Sequence, residues 1–85
     1  MKYTDYNGWR NRQTWNCALW ISNDETLYRA ALAYMTRRAA AGKRSSYLGF
    51  IRAEGLSGTR TPDGIAWDGT RLDLRALNEM MRELA

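Results

Sequence analysis

The side chains with the plainest chemical use in this chain are cations. Between Glu25 and Glu54 lie twenty-eight residues without one acidic side chain, and they hold Arg29, Arg37, Arg38, Lys43, Arg44 and Arg52. That local excess of six exceeds the net charge of +4 carried by the whole chain. A concentrated positive patch attracts a polyanion or an acidic protein surface and speeds their encounter in a salt-dependent way. A surface that serves only solubility usually mixes both signs. Arg37, Arg38, Lys43, Arg44 and Arg52 are therefore the candidate binding residues. The plainer alternative is that Arg37 and Arg38 simply complete a helix C-terminus, where basic side chains are common.

Catalysis has little to draw on. The chain has no histidine, so acid–base chemistry near neutral pH would need a carboxylate, a lysine or a cysteine of strongly shifted pKa. Asp63, Asp68 and Asp73 are spaced by five, as turn and cap residues are, and not as ligands of one metal. Zinc would have to be held by carboxylates alone, an unusual donor set. Cys17 sits among Trp15, Leu19 and Trp20 with no histidine beside it and reads as a small core hydrophobe. The glycines of GLSGTRTPDG lack the order of a phosphate loop. These residues point to a protein that binds, with no catalytic set, no metal and no cofactor.

Aromatic residues are the second candidate. Three of the four tryptophans fall within the nineteen residues from Tyr6 to Asp24. Tryptophan and tyrosine interleaved with arginine can stack on single-stranded bases. Trp15, Trp20, Tyr28 and Tyr34 nevertheless recur at helical packing intervals, and a chain of 85 residues needs such rings inside, because it buries only about 60–65% of its unfolded surface. Trp9 differs: it follows a turn signal, Asn7-Gly8, and precedes Arg10. It can serve either as a packing staple or as an exposed interface anchor. Trp9 and Arg10 join the candidate binding residues, with Arg12 close by.

The elements that must position these groups read as helices with short connections. Asn11 is a good N-cap for a first helix that closes at Asn23-Asp24. Glu25 to about Ala41 is rich in Ala, Leu and Arg, acidic at its start and basic at its end, with Gly42 as its stop. Ser45 or Ser46 caps a third helix that presents Tyr47, Leu48, Phe50 and Ile51 and stops at Gly55. From 56 to 72 glycines, the only proline and two Asp-Gly pairs break the pattern, and the pairs flank Ile65-Ala66-Trp67 as turns around a short hairpin. Asp73 caps a last helix with Leu74, Leu77, Met80, Met81 and Leu84 on one stripe. The expected fold is mainly α, a single small domain over 1–85 with about four helices and an irregular segment before the last. Its core should hold Trp15, Leu19, Leu32, Met35, Phe50, Ile51, Leu77 and Met81. A single cysteine allows no internal disulfide, and no apolar run approaches the ~20 residues that cross a bilayer, so a soluble cytoplasmic protein is expected.

Tyr6, Asn7, Gly8, Trp9, Asn11, Thr14, Trp15, Leu19, Trp20, Ile21, Asn23 and Asp24 follow the pattern Y-N-G-W-x-N-x-x-T-W-x-x-x-L-W-I-x-N-D. This stretch resembles the N-terminal signature of a family of small proteins of bacteriophages and mobile elements. The resemblance implies a non-catalytic anti-defence protein, such as an anti-CRISPR protein, that binds and blocks a host effector complex. Its partner would be a host defence protein or nucleoprotein, met in the host cytoplasm. Positive charge argues against mimicry of DNA and for docking on an acidic protein patch or on bound guide RNA. The alternative is a nucleic-acid-binding accessory or regulatory protein that contacts phosphates through the same cations, with Arg44 to Gly55 as a groove-binding helix. A third reading, a structural or oligomer-forming phage protein, is favoured if the Met80-Met81 stripe is exposed.

Overall fold

Each helix starts where a short polar side chain replaces a missing backbone acceptor. In the computed structural model, which describes Tyr6 and residues 8–84, these starts define four helices: α1 (Arg12–Asn23), α2 (Glu25–Ala40), α3 (Tyr47–Ala53) and α4 (Leu74–Leu84). Asn11 Oδ1 accepts the Thr14 N–H at 2.9 Å and the Thr14 hydroxyl at 2.6 Å. Asp24 accepts from the Leu27 N–H, Ser46 from Gly49 and Asp73 from Ala76, at 3.1, 2.9 and 3.2 Å. Such caps stabilise a helix by about 1 kcal/mol each. Asp24 also closes α1, because its own N–H donates to the Trp20 carbonyl. Of the expected Asn7-Gly8 turn, Asn7 lies outside the described residues, while Gly8 has φ +92°.

Two helices end alike. At α2, Gly42 donates to Ala39 O and Lys43 to Arg38 O; at α3, Gly55 donates to Arg52 O and Leu56 to Ile51 O. Both are Schellman caps, which need a residue of positive φ at the turn, here Gly42 at +66° and Gly55 at +71°. The helix boundaries therefore follow the capping residues closely.

The core is the shared interior of the four helices, with α1 on α2 and α4, and α4 also on α2 and α3. Its fully enclosed side chains include Ile21, Tyr47, Phe50, Ile51, Leu77 and Met81. Met35 is also buried. Three residues expected there are not: Trp15, Leu19 and Leu32 are only half-buried. The inward face of α1 is instead Thr14, Cys17, Ala18 and Ile21, with Asn16. Small side chains allow α1 to approach its neighbours closely, and the wide indoles cover the edges of a thin core. Met80 and Met81 are both buried in α4, which removes the reading of an exposed methionine stripe.

The irregular segment 56–72 carries the fourth tryptophan inward. Trp67 is buried, and the hydroxyl of fully buried Tyr47 donates to its carbonyl at 2.6 Å. The expected hairpin is reduced to one antiparallel bridge, Arg60 to Ala66, closed by Thr61 N–H to Ile65 O at 2.7 Å and Trp67 N–H to Thr59 O at 3.0 Å. Its tip turns at Pro62-Asp63-Gly64, with Gly64 at φ +85°. Side chains of α1 hold this segment in place, so it needs no longer strand pairing.

Candidate functional site

Arg37, Arg38, Lys43 and Arg44 stand at the joint between α2 and α3, with Arg52 one helix length away in the last turn of α3, and the joint is braced from inside. Tyr34, buried in α2, accepts the Ser46 N–H on its hydroxyl at 3.3 Å and packs against Phe50 with ring centroids 5.7 Å apart. Gly49 lets that hydroxyl come close: a β-carbon built there would collide with it. Over the Tyr34 ring lies the Arg38 guanidinium, 5.9 Å from the centroid, within cation–π range. The Arg38 Nε also donates to the Arg44 carbonyl. Arg38 is thus a half-buried strut that ties the end of α2 to the start of α3. It is withdrawn from the expected set of free cations.

Arg37, Lys43, Arg44 and Arg52 are exposed. The ion pair between Arg29 and Glu25 lies within α2, and no carboxylate stands within 4 Å of these four cations among the described residues. Their charge therefore faces solvent on a backbone fixed by a Schellman cap, an N-cap and the Tyr34 brace. The helix α3 does not suit groove binding: seven residues give about 10 Å of length, and Tyr47, Phe50 and Ile51 point inward.

Trp9 and Arg10 stand elsewhere. Trp9 is half-buried, donates its N–H to Tyr6 O at 2.9 Å, and packs on the core edge between α1 and α4. On one side of it lies a groove with Trp15, Ala18 and Leu19, on the other a groove with Ala76, Met80, Glu79 and Glu83. Arg10 is exposed. Neither residue contributes to the basic joint.

The model of a family of unknown function, DUF7249, matches residues 2–85. The chain belongs to that family. No curated protein and no solved structure matches it.

In this DUF7249 member the polar chemistry that sequence reasoning missed is structural and centres on Asn16. Its amide donates to Asp63 Oδ2 at 2.8 Å and accepts the Thr61 hydroxyl at 2.7 Å, while Trp20 Nε1 donates to the same Asp63 oxygen at 2.9 Å. Nearer the start of α1, Thr14 Oγ1 accepts the Asp73 N–H at 2.9 Å. A polar Asn16 beside Cys17 on the inward face of a helix is the one signal of this network in the sequence. The hydrogen bonds from Asn16 and Trp20 hold the Asp63 carboxyl below its ordinary pKa, with Arg12 assisting. Asp68 takes the Gly58 N–H at 3.3 Å, and Asp73 caps α4. Each aspartate is thus committed to holding backbone or α1. Among the described residues no three Cys, Asp or Glu side chains come together as a metal site, and no helix is long and apolar enough to cross a membrane. Cys17 is fully buried with its thiol toward Ala66 O at 3.8 Å, and burial pushes its pKa up. A thiol so placed stays protonated and is a poor nucleophile.

Proposed function

We propose that this protein acts by binding alone, as an anti-defence protein of a phage or mobile element that docks on a host effector complex and blocks it in the host cytoplasm. The observation that supports this reading is the braced α2–α3 joint with Arg37, Lys43 and Arg44 exposed, Arg52 exposed at the end of α3, and no carboxylate within 4 Å of them among the described residues. A preformed cationic surface loses little freedom on binding, and it complements an acidic protein patch or the backbone of bound guide RNA. The resemblance of the N-terminal signature supplies the biological setting.

The test is a double charge reversal, Arg37→Glu with Arg44→Glu. Arg38 is left alone because its loss would unfasten the joint. Capture from host lysate with nuclease present should yield a defence complex with the parent protein and none with the variant. Removing one partner of a buried charge pair at an interface costs about 2–5 kcal/mol, so with two pairs broken the loss should be complete at ordinary concentrations. Equal capture by both proteins would refute the reading.

The second reading, a nucleic-acid accessory protein, draws on the same exposed cations. It places phosphates on Arg37, Lys43, Arg44 and Arg52 without base readout, since α3 is too short to fill a groove. Its mark would be affinity for bare duplex DNA that falls with salt at a slope of about 0.9 per phosphate contacted.

A further inference from the structure

A cleft of about 400 Å³ opens between the first turn of α1 and the irregular segment, away from the basic joint. Gln13, Arg60, Ile65, Ala66, Thr70, Arg71 and Leu72 are among the residues around it. Its walls are fixed from both sides. Asn11 Nδ2 donates to the Arg71 carbonyl at 2.8 Å, and the Asn16, Thr61 and Asp63 network holds the bridge strand against α1. The Arg60 guanidinium donates one N–H to Gly64 O at 2.9 Å, which orients it and leaves its other donors to a ligand.

Charge in the cleft has one sign. Among the described residues no acidic side chain lines it. Asp63, Asp68 and Asp73, its nearest acidic neighbours in sequence, already accept from Asn16 and Trp20, from Gly58, and from the Ala76 N–H. Neither Arg60 nor Arg71 has a carboxylate within 4 Å among the described residues. Guanidinium groups in a preformed wall recognise oxyanions, phosphate above all, through paired hydrogen bonds. A bare oxyanion would leave most of the space unfilled, because a water molecule takes about 30 Å³ in the liquid and the cleft equals about a dozen of them. Ile65, Ala66 and Leu72 supply apolar surface for a flat body, and Gln13 and Thr70 supply donors and acceptors for its edge.

We infer that this cleft binds a nucleoside monophosphate unit, with its phosphate on Arg60 and Arg71 and its base against Ile65, Ala66 and Leu72. The unit is either a free nucleotide or the phosphorylated 5′ end of a strand. The site is independent of the α2–α3 joint, so the Arg37→Glu/Arg44→Glu variant should bind the same probes unchanged.

The experiment is an amide and arginine side-chain NMR titration of the full chain. The probes are the nucleoside 5′-monophosphates, a 5′-phosphorylated dinucleotide, the unphosphorylated nucleosides and inorganic phosphate. Shifts should gather at Gln13, Arg60, Gly64, Ala66, Gly69 and Thr70, with a monophosphate binding at least about tenfold more tightly than either its nucleoside or phosphate alone. Tighter binding of the dinucleotide would identify a strand end; equal binding would identify the free nucleotide. Arg71→Gln should weaken binding about tenfold with thermal stability unchanged, because its side chain is exposed and makes no hydrogen bond among the described residues. Arg60→Gln should weaken binding by a similar factor and serves as the second variant, with a small loss of thermal stability because it also gives up the bond to Gly64 O. Shifts scattered over the α2–α3 joint, no saturable shifts at millimolar probe, or undiminished binding in both variants would overturn the inference.

Discussion

Asp63 Oδ2 receives two hydrogen bonds from α1, and its titration should be visible in the acid stability of the protein. Its folded pKa lies below the ordinary 3.8. The unfolded chain therefore takes up the proton first as pH falls, and the stability these bonds contribute is complete above about pH 4 and lost through the acid range beneath it. Asp63→Asn should lower the urea midpoint at neutral pH and flatten its decline below pH 4; circular dichroism across that range decides. Tyr47 gives the opposite limb. Burial, with Cys17 beside it, raises its pKa far above the ordinary 10.0. The folded state thus resists deprotonation, and the stability so gained is complete below pH 10 and declines as alkali ionises the unfolded chain. Tyr47→Phe should leave the buried Trp67 carbonyl unpaired, at a cost of about 1–3 kcal/mol at neutral pH, and should weaken the alkaline decline. Melts of the two proteins at neutral pH and above pH 10 test both statements.

Gly49 in α3 reverses an ordinary rule. Replacing a mid-helix glycine by alanine usually stabilises by about 1 kcal/mol. Here Gly49→Ala should destabilise, because the new methyl would displace the Tyr34 hydroxyl that braces the joint. A higher melting temperature for Gly49→Ala would show the brace to be dispensable. The tryptophans divide likewise. Trp67→Ala should cost about 3–5 kcal/mol through an enclosed cavity, whereas Trp15, with one side in solvent, should cost clearly less. A larger loss for Trp15→Ala, read from urea midpoints, would contradict the packing described. These elements differed in how far the sequence revealed them. Asn11, Asp24, Ser46 and Asp73 start helices, and Gly42 and Gly55 end them, through bonds only a few residues long, so local chemistry suffices to place them. The inward face of α1 was hidden because residue type favours Trp15 and Leu19 over Asn16 and Cys17, and the partners that satisfy Asn16 lie 45 and 47 positions away. Asp63 was legible as a turn residue, though not as an anchor, for the same reason. The basic joint was legible as composition, but the withdrawal of Arg38 depends on the Tyr34 face and the Arg44 carbonyl coming together in three dimensions.

Charge is distributed over the molecule unevenly, with the Arg37 to Arg52 stretch positive and Glu79 and Glu83 facing the Trp9 groove. Added salt should therefore change association more than folding. The melting temperature of the parent protein should move little between low and physiological ionic strength, and the Arg37→Glu/Arg44→Glu variant should stay within about 0.5 kcal/mol of the parent. A large stabilisation by salt would instead reveal repulsion stored at the joint. The ties between α1 and the segment after α3 carry a different consequence, one of timing. Asn11, Thr14 and Asn16 bond to residues 60, 59, 45 and 47 positions later. Closing so long a loop costs entropy before any of these bonds can form, so refolding should be slower than in helical bundles whose contacts are local. On the ribosome, α1 can pack on α2 as soon as α2 has emerged, yet the part of its inward face that meets α4 stays uncovered until Leu74 through Leu84 have been made. During that interval the nascent chain offers chaperones an open hydrophobic face that the finished protein conceals.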